Sequence, residues 1–143
     1  MLLAGLRRHH PFAASGRHIP EQWRELQALE PIPGQRGTTR YGVMCGHDPS
    51  GIEFMCGVEV DSFAGLPGDL GRMRIAPEHY AVFVHTGPAA TITATWERIL
   101  REWLPGSGVQ SAQKPDFEVY AQPADPLSDS GVAEIWIAIR PRL

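Results

Sequence analysis

The sequence predicts an α+β fold in which two βαββ units build a mainly antiparallel sheet with two helices on one face. Two observations carry this expectation. The order strand, helix, strand, strand occurs twice along the 143 residues, and such duplication implies two similar halves related by a pseudo-two-fold axis. Both helical segments carry tryptophan on their apolar side, so both need a sheet to lie against. The half-repeats fall at about residues 1–62 and 71–143, within a single domain spanning 1–143. Their junction is a natural place for a cleft between helices and sheet.

Each element follows from local pattern. LLAGLRR reads as a strand and HPFAASGRH as a polar connection. IPEQWRELQAL reads as a helix: Pro20 suits a first turn, Trp23 and Leu26 share a face with Ile19, and Pro31 follows the end. TTRYGVMCG and IEFMCGVEV are rich in β-formers and flank a turn at Asp48–Gly51, so they form a hairpin. After the bridge FAGLPGDLG, RMRIAPEHYAVFVHTG supplies a short strand and a longer one, and Pro88 opens the helix AATITATWERILREWL. There Ile92, Trp96, Ile99 and Trp103 fall at helical spacing on one face, and Leu104-Pro105-Gly106 stops the helix. DFEVYAQ and VAEIWIAIR form the last pair of strands, joined by a loop whose acidic stretch Asp125–Asp129 reads as a solvated turn.

Composition excludes several classes. A hydrophobic content of 43% in 143 residues suits one packed domain. The net charge of −3 and the absence of any basic run longer than Arg7-Arg8 give a phosphate backbone nothing to bind, so this chain by itself is expected not to contact nucleic acid. The apolar part of MLLAGLRRHH is too short for a signal peptide, and no segment approaches the length of a membrane span, which makes a cytoplasmic chain without membrane association the expectation. Cys45 and Cys56 read as buried thiols. Among the six histidines, His9 and His10 are adjacent in a strand and face opposite ways, and His79 and His85 lack a carboxylate or cysteine partner at ligand spacing, so no metal and no other cofactor is expected. GLPGDLG lacks the lysine of a phosphate-binding loop, and no serine-centred nucleophile elbow is present.

DFEVYAQ poses the functional question. Its alternation sends Phe117, Val119 and Ala121 to one face and Asp116, Glu118, Tyr120 and Gln122 to the other, and the alternation alone does not say which face is buried. A carboxylate taken out of water costs several kcal/mol unless it is protonated, paired or awaiting a ligand charge. Aromatic faces attract cations, and indole does so best. Four tryptophans in so small a domain therefore invite a cation-accepting pocket, although each alone suits ordinary packing.

The run YAVFVHTGPAATITATWERILREWLPGSGV, followed by PDFEVYAQ and the terminal EIWIAIRP, resembles the effector-binding domain of AraC-type transcription activators, also called the GyrI-like small-molecule-binding domain. IPEQW, YGV and GVEV extend the resemblance over nearly the whole chain. It implies a pocket lined by aromatic side chains around one glutamate, which takes lipophilic compounds that are cationic or planar and aromatic. Glu118 matches that glutamate, with Trp136 on the next strand as its flanking ring and Trp96 and Trp23 as further walls. Tyr41, Phe54 and Tyr120 are additional candidates whose facing depends on strand register. Family pockets often carry tyrosine where this chain has tryptophan. The chain also lacks the family's DNA-binding segment, so a role in transcription needs a DNA-binding partner chain or a segment missing here. Binding as a sensor or sequestering module is the expected function. Two alternatives stand beside it: hydrolysis of cyclopropane-bearing electrophiles with Glu118 as general base, and a gyrase-inhibitor-like module acting through its surface.

Overall fold

The computed structural model of the chain describes residues 1–128 and 132–142. Among the described residues eight strands form one antiparallel sheet: β1 Leu2–Pro11, β2 Gln35–Asp48, β3 Gly51–Val60, β4 Gly71–Arg74, β5 His79–Thr86, β6 Val109–Ser111, β7 Asp116–Tyr120 and β8 Val132–Pro141. Their order is β4-β1-β3-β2-β7-β8-β5, with β6 on β8. The triplets β1-β3-β2 and β5-β8-β7 are wound alike and meet at the β2–β7 pair, which is the arrangement two duplicated βαββ units require. Helix α1 (Ser15–Leu29) follows β1, and helix α2 (Ile92–Arg98) follows β5 after a 3-10 turn at Ala89–Thr91. No helix among the described residues is long and apolar enough to cross a membrane.

The β2–β3 hairpin closes as its residues dictate. The Asp48 carboxylate accepts from the Ser50 amide, the Ser50 hydroxyl and the Gly51 amide, an Asx turn that holds the reversal. The main core lies between helices and sheet. Trp23 and Leu26 of α1 and Ile92, Trp96 and Ile99 of the second helical segment pack on Ala4, Leu6, Phe54, Val58, Ile135 and Ile137. A smaller cluster occupies the other face of the sheet: Leu3, Val43, Met55, Ile75 and Phe117, roofed by Tyr41, Tyr80 and Trp136 rather than by a helix.

Three local expectations change. Helix α1 starts at Ser15, so Pro20 lies inside the helix instead of in its first turn. Proline has no N–H, so the Gly16 carbonyl loses its helical partner at a point where Gly16 and Pro20 both border the cleft between the two helices. The second helix does not run evenly: α2 passes into a π turn, Ile99–Trp103, before a last α turn, Leu104–Gly106. The residue added by a π turn rotates the downstream side chains by about 100°. Trp103 therefore leaves the face that holds Ile92, Trp96 and Ile99, stands 37% exposed and meets the Phe83 ring edge-on at 4.9 Å. The acidic loop is not wholly solvated, since Asp125 accepts from the Leu127 amide and from Gln27 Nε2 of α1; Asp129 lies outside the described residues.

Candidate functional site

A cleft of about 1090 Å³ opens between α1 and α2 over the central β2–β7 pair. Its walls come from Trp23 on α1, Trp96 on α2 and Phe54 on β3; Glu118 and Tyr120 rise from β7 beneath them.

Register decides what reaches this floor. Glu118 pairs with Gly42 on β2 and with Ile135 on β8, and all three belong to the helix side of the sheet. The glycine is a requirement of space. A Cβ at position 42 would sit 2.8 Å from Phe54 Cζ, 3.1 Å from Trp23 Cζ2 and 3.2 Å from Glu118 Oε1. Gly42 thus leaves the volume in which the carboxylate and two aromatic rings converge. The motif YGV does not disclose this use of its glycine, which only the pairing partner across β7 reveals.

Glu118 is 4% exposed. Its Oε2 accepts from Trp96 Nε1 at 2.8 Å and its Oε1 accepts from the Tyr120 hydroxyl at 2.7 Å. Burial pushes its pKa above the usual glutamate value, while the bonds from Tyr120 and Trp96 pull it back. Burial also pushes the Tyr120 phenol up, and the adjacent carboxylate adds to this, so Tyr120 stays a neutral donor. Trp23 packs edge-on against Tyr120 at 5.6 Å and against Phe54 at 6.0 Å. The floor is therefore a buried carboxylate with two committed donors inside an aromatic cage.

The helices are pinned where this cage needs them. Gln22, fully buried on α1, donates from Nε2 to the Leu6 carbonyl at 2.7 Å and the Phe54 carbonyl at 3.2 Å, and its Oε1 meets His10 Nε2. These bonds hold Trp23, the next residue, above the sheet. At the start of α2, His85 Nε2 donates to the Pro88 carbonyl at 3.1 Å, which leaves Nδ1 to accept from the Thr95 hydroxyl at 2.7 Å. Thr95 precedes Trp96, so this histidine fixes the second indole. Neither Gln22 nor His85 stands out in the sequence, because a buried polar residue looks like a surface one until its partners are known.

Five of the seven residues singled out from the sequence border the cleft: Glu118, Trp96, Trp23, Phe54 and Tyr120. Trp136 and Tyr41 do not, and their placement is corrected. Trp136 pairs with Phe117, one residue before Glu118, and Tyr41 pairs with Val119, one residue after it. Because side chains alternate, both rings stand on the opposite face of the sheet. There Trp136 stacks on Phe117 at 5.6 Å and 18°, donates from Nε1 to Glu134 at 3.1 Å, and meets Tyr80 edge-on; Tyr41 meets the other side of Phe117.

A second carboxylate also borders the cleft. Asp116, two residues before Glu118, accepts from the Ala138 amide at 2.8 Å, and burial pushes its pKa up to about 6 despite that bond. Both thiols are free. Cys56 lies under α1, where burial pushes its pKa up to about 12, whereas Cys45 is only half-buried, at the bulge between Met44 and Gly46.

Known proteins are similar to this chain in sequence or in fold. The transcriptional regulator BrlR of Pseudomonas aeruginosa is 30% identical over 131 residues, an alignment covering 89% of this chain and 48% of BrlR, so the chain spans about half the length of that relative. SAV2435, solved bound to tetraphenylphosphonium, superposes with a TM-score of 0.74 at 17% identity over 98% of this chain and 88% of its own. EcmrR, solved in a complex with DNA, superposes with a TM-score of 0.66 at 15% identity over 99% of this chain and 54% of its own. The sequence model of the GyrI-like small molecule binding domain matches residues 1–140, and this chain belongs to that family.

Proposed function

We propose that the cleft binds lipophilic cations carrying aromatic groups, with the positive charge seated against Glu118 and the aromatic groups against Trp23, Phe54, Trp96 and Tyr120. The observation that carries this reading is the burial of Glu118 at the floor of an aromatic-walled cleft, with no cationic side chain among the described residues bonded to it. The two donors on Glu118 are neutral and bring no positive charge to it, so a ligand cation supplies the counter-charge that the folded chain does not. Desolvated indole and phenol faces add about 0.5–2 kcal/mol of cation–π attraction. The whole chain acts in this reading as one effector-binding unit. BrlR and EcmrR are longer proteins connected with transcription or DNA, and the proposed role here is that of a ligand-reading module coupled to a DNA-binding segment or partner chain, or of a free-standing sequestering module.

The test is titration with tetraphenylphosphonium and with neutral triphenylphosphine oxide, followed by calorimetry and thermal denaturation. Saturable binding that favours the cation, with a matching rise in melting temperature, supports the reading; equal or absent binding of both overturns it. Hydrolysis of a cyclopropane electrophile by Glu118 is less well supported. Both carboxylate oxygens already accept a hydrogen bond, from Trp96 or Tyr120, so an attacking water has to share an oxygen with one of these donors. Incubating a cyclopropane electrophile with the protein and following product by mass spectrometry distinguishes turnover from binding.

A further inference from the structure

We propose that the free edge of β5 is a docking surface for a second copy of this chain, the two β5 strands pairing antiparallel across a two-fold axis so that the sheets continue into each other. The two edges of the sheet are built differently. At one end, β4 is four residues long and two of them are arginines; the Arg72 guanidinium folds back onto the Leu66, Pro67 and Leu70 carbonyls. A short, charged strand is how a protein blocks edge-to-edge pairing. At the other end, β5 runs for eight residues, HYAVFVHT, without Asp, Glu, Lys, Arg or Pro. It keeps unbroken register on β8 from His79↔Ile139 to Thr86↔Val132, so no bulge twists it away. Among the described residues no strand pairs with its outer row of backbone donors and acceptors, which is left as a template.

The flanks of that edge are apolar on both faces of the sheet. Val82 and Val84 point to the face opposite the helices and are 44% and 62% exposed, with Val132 at 52% on the adjoining strand. On the helix face, Phe83 carries the partly exposed Trp103 ring that the π turn sends outward. The occupant follows from charge. Two-fold pairing sets each residue against a residue of the same strand, and a strand without formal charge meets no like charge in doing so, while it offers a charged partner nothing to recognise. Eight residues at about 3.3 Å each give a strip about 26 Å long. With side chains reaching about 10 Å to either side, it buries on the order of 500 Å² per copy, or about 1,000 Å² in total, which suits association in the micromolar range rather than a permanent dimer.

The experiment is sedimentation velocity on the full chain without ligand, from about 1 to about 200 µM, a range that brackets micromolar association. The expected result is a mass that moves from 15.8 kDa toward twice that value as concentration rises. Val84→Lys, at an exposed position, keeps the wild-type circular dichroism and melting temperature and stays monomeric throughout. Arg74→Glu on the opposite edge dimerises like wild type. Hydrogen exchange provides the second readout: amides of β5 slow with concentration in wild type and not in Val84→Lys. A wild-type chain that remains at 15.8 kDa at the highest concentration overturns the proposal, as does a Val84→Lys chain that dimerises normally or a dimer abolished by Arg74→Glu.

Discussion

Replacing Glu118 by glutamine removes the cleft's buried charge while leaving its shape in place. Both existing hydrogen bonds can survive. The amide oxygen turns toward Trp96 Nε1, which only donates, and the amide nitrogen turns toward Tyr120, whose hydroxyl rotates to accept. The variant is therefore expected to fold with a melting temperature at or above that of wild type, because a buried charge is gone and no donor is orphaned. For a bulky cation centred about 6 Å from the carboxylate, an effective dielectric constant of about 20 gives about 3 kcal/mol of attraction. The amide dipole restores part of this, so the expected loss is about 1–3 kcal/mol, or about 5- to 150-fold in Kd. The assay is paired calorimetric titration of tetraphenylphosphonium and triphenylphosphine oxide at pH 7.5 and low salt, with the neutral compound changing by less than about 0.5 kcal/mol, the noise of a site left sterically intact. A folded glutamine variant that binds the cation as tightly as wild type would show that the charge of Glu118 plays no part in recognition.

Three further outcomes are expected. Trp136→Ala destabilises the chain by about 1–3 kcal/mol in urea denaturation by stripping the stacked roof from Phe117, yet leaves cation affinity within about twofold, since the ring stands on the far side of the sheet; a large loss of affinity with stability intact contradicts the register. Trp96→Phe deletes a bond that pulls the Glu118 pKa down, so the pH at which cation binding is half lost moves upward relative to wild type in titrations between pH 4 and 8, and an unmoved midpoint refutes the assigned role of that bond. Asp116 has a folded pKa of about 6, above its usual 3.8, so the folded state holds a proton more firmly than the unfolded one and stability falls as pH rises from about 4 through 6. Asp116→Asn keeps an acceptor for the Ala138 amide and is expected to melt higher than wild type at pH 7.5 but not at pH 4; identical pH profiles for the two proteins rule this out.

Much of the fold is legible in the sequence because it rests on short-range signals. Alternation, turn residues and amphipathic periods locate both helices and the paired strands, and their repetition gives the winding of the sheet. The hidden part depends on registration between strands distant in sequence. Glu118 and Phe117 differ by one position in an alternating strand, and a partner assigned one residue away exchanges the two faces. That is why Trp136, matched to the carboxylate by family resemblance, belongs instead to the roof over Phe117. The strand 116–120 also has apolar cover on both faces, so polarity does not reveal which side is the interior: Phe117 and Glu118 are each only 4% exposed. The π turn is illegible for another reason. ERILREW carries a sound α-helical period, and nothing in that period marks the residue that the π turn adds.

The Gly42–Glu118 pair has a consequence for where a charge can sit. The two halves are wound alike, and a strictly repeated sequence could have set an acid on each of the two central strands. Carboxylates on directly paired residues, with Cα atoms about 5 Å apart, would repel each other and compete for the same counter-charge. Here one side of the pair is an acid and the other has no side chain, so the symmetric scaffold holds an asymmetric seat. At the central pair the floor of the cleft therefore carries its carboxylate on β7 alone, and on the proposed reading a cation seated there lies off the pseudo-two-fold axis, nearer β7 than β2.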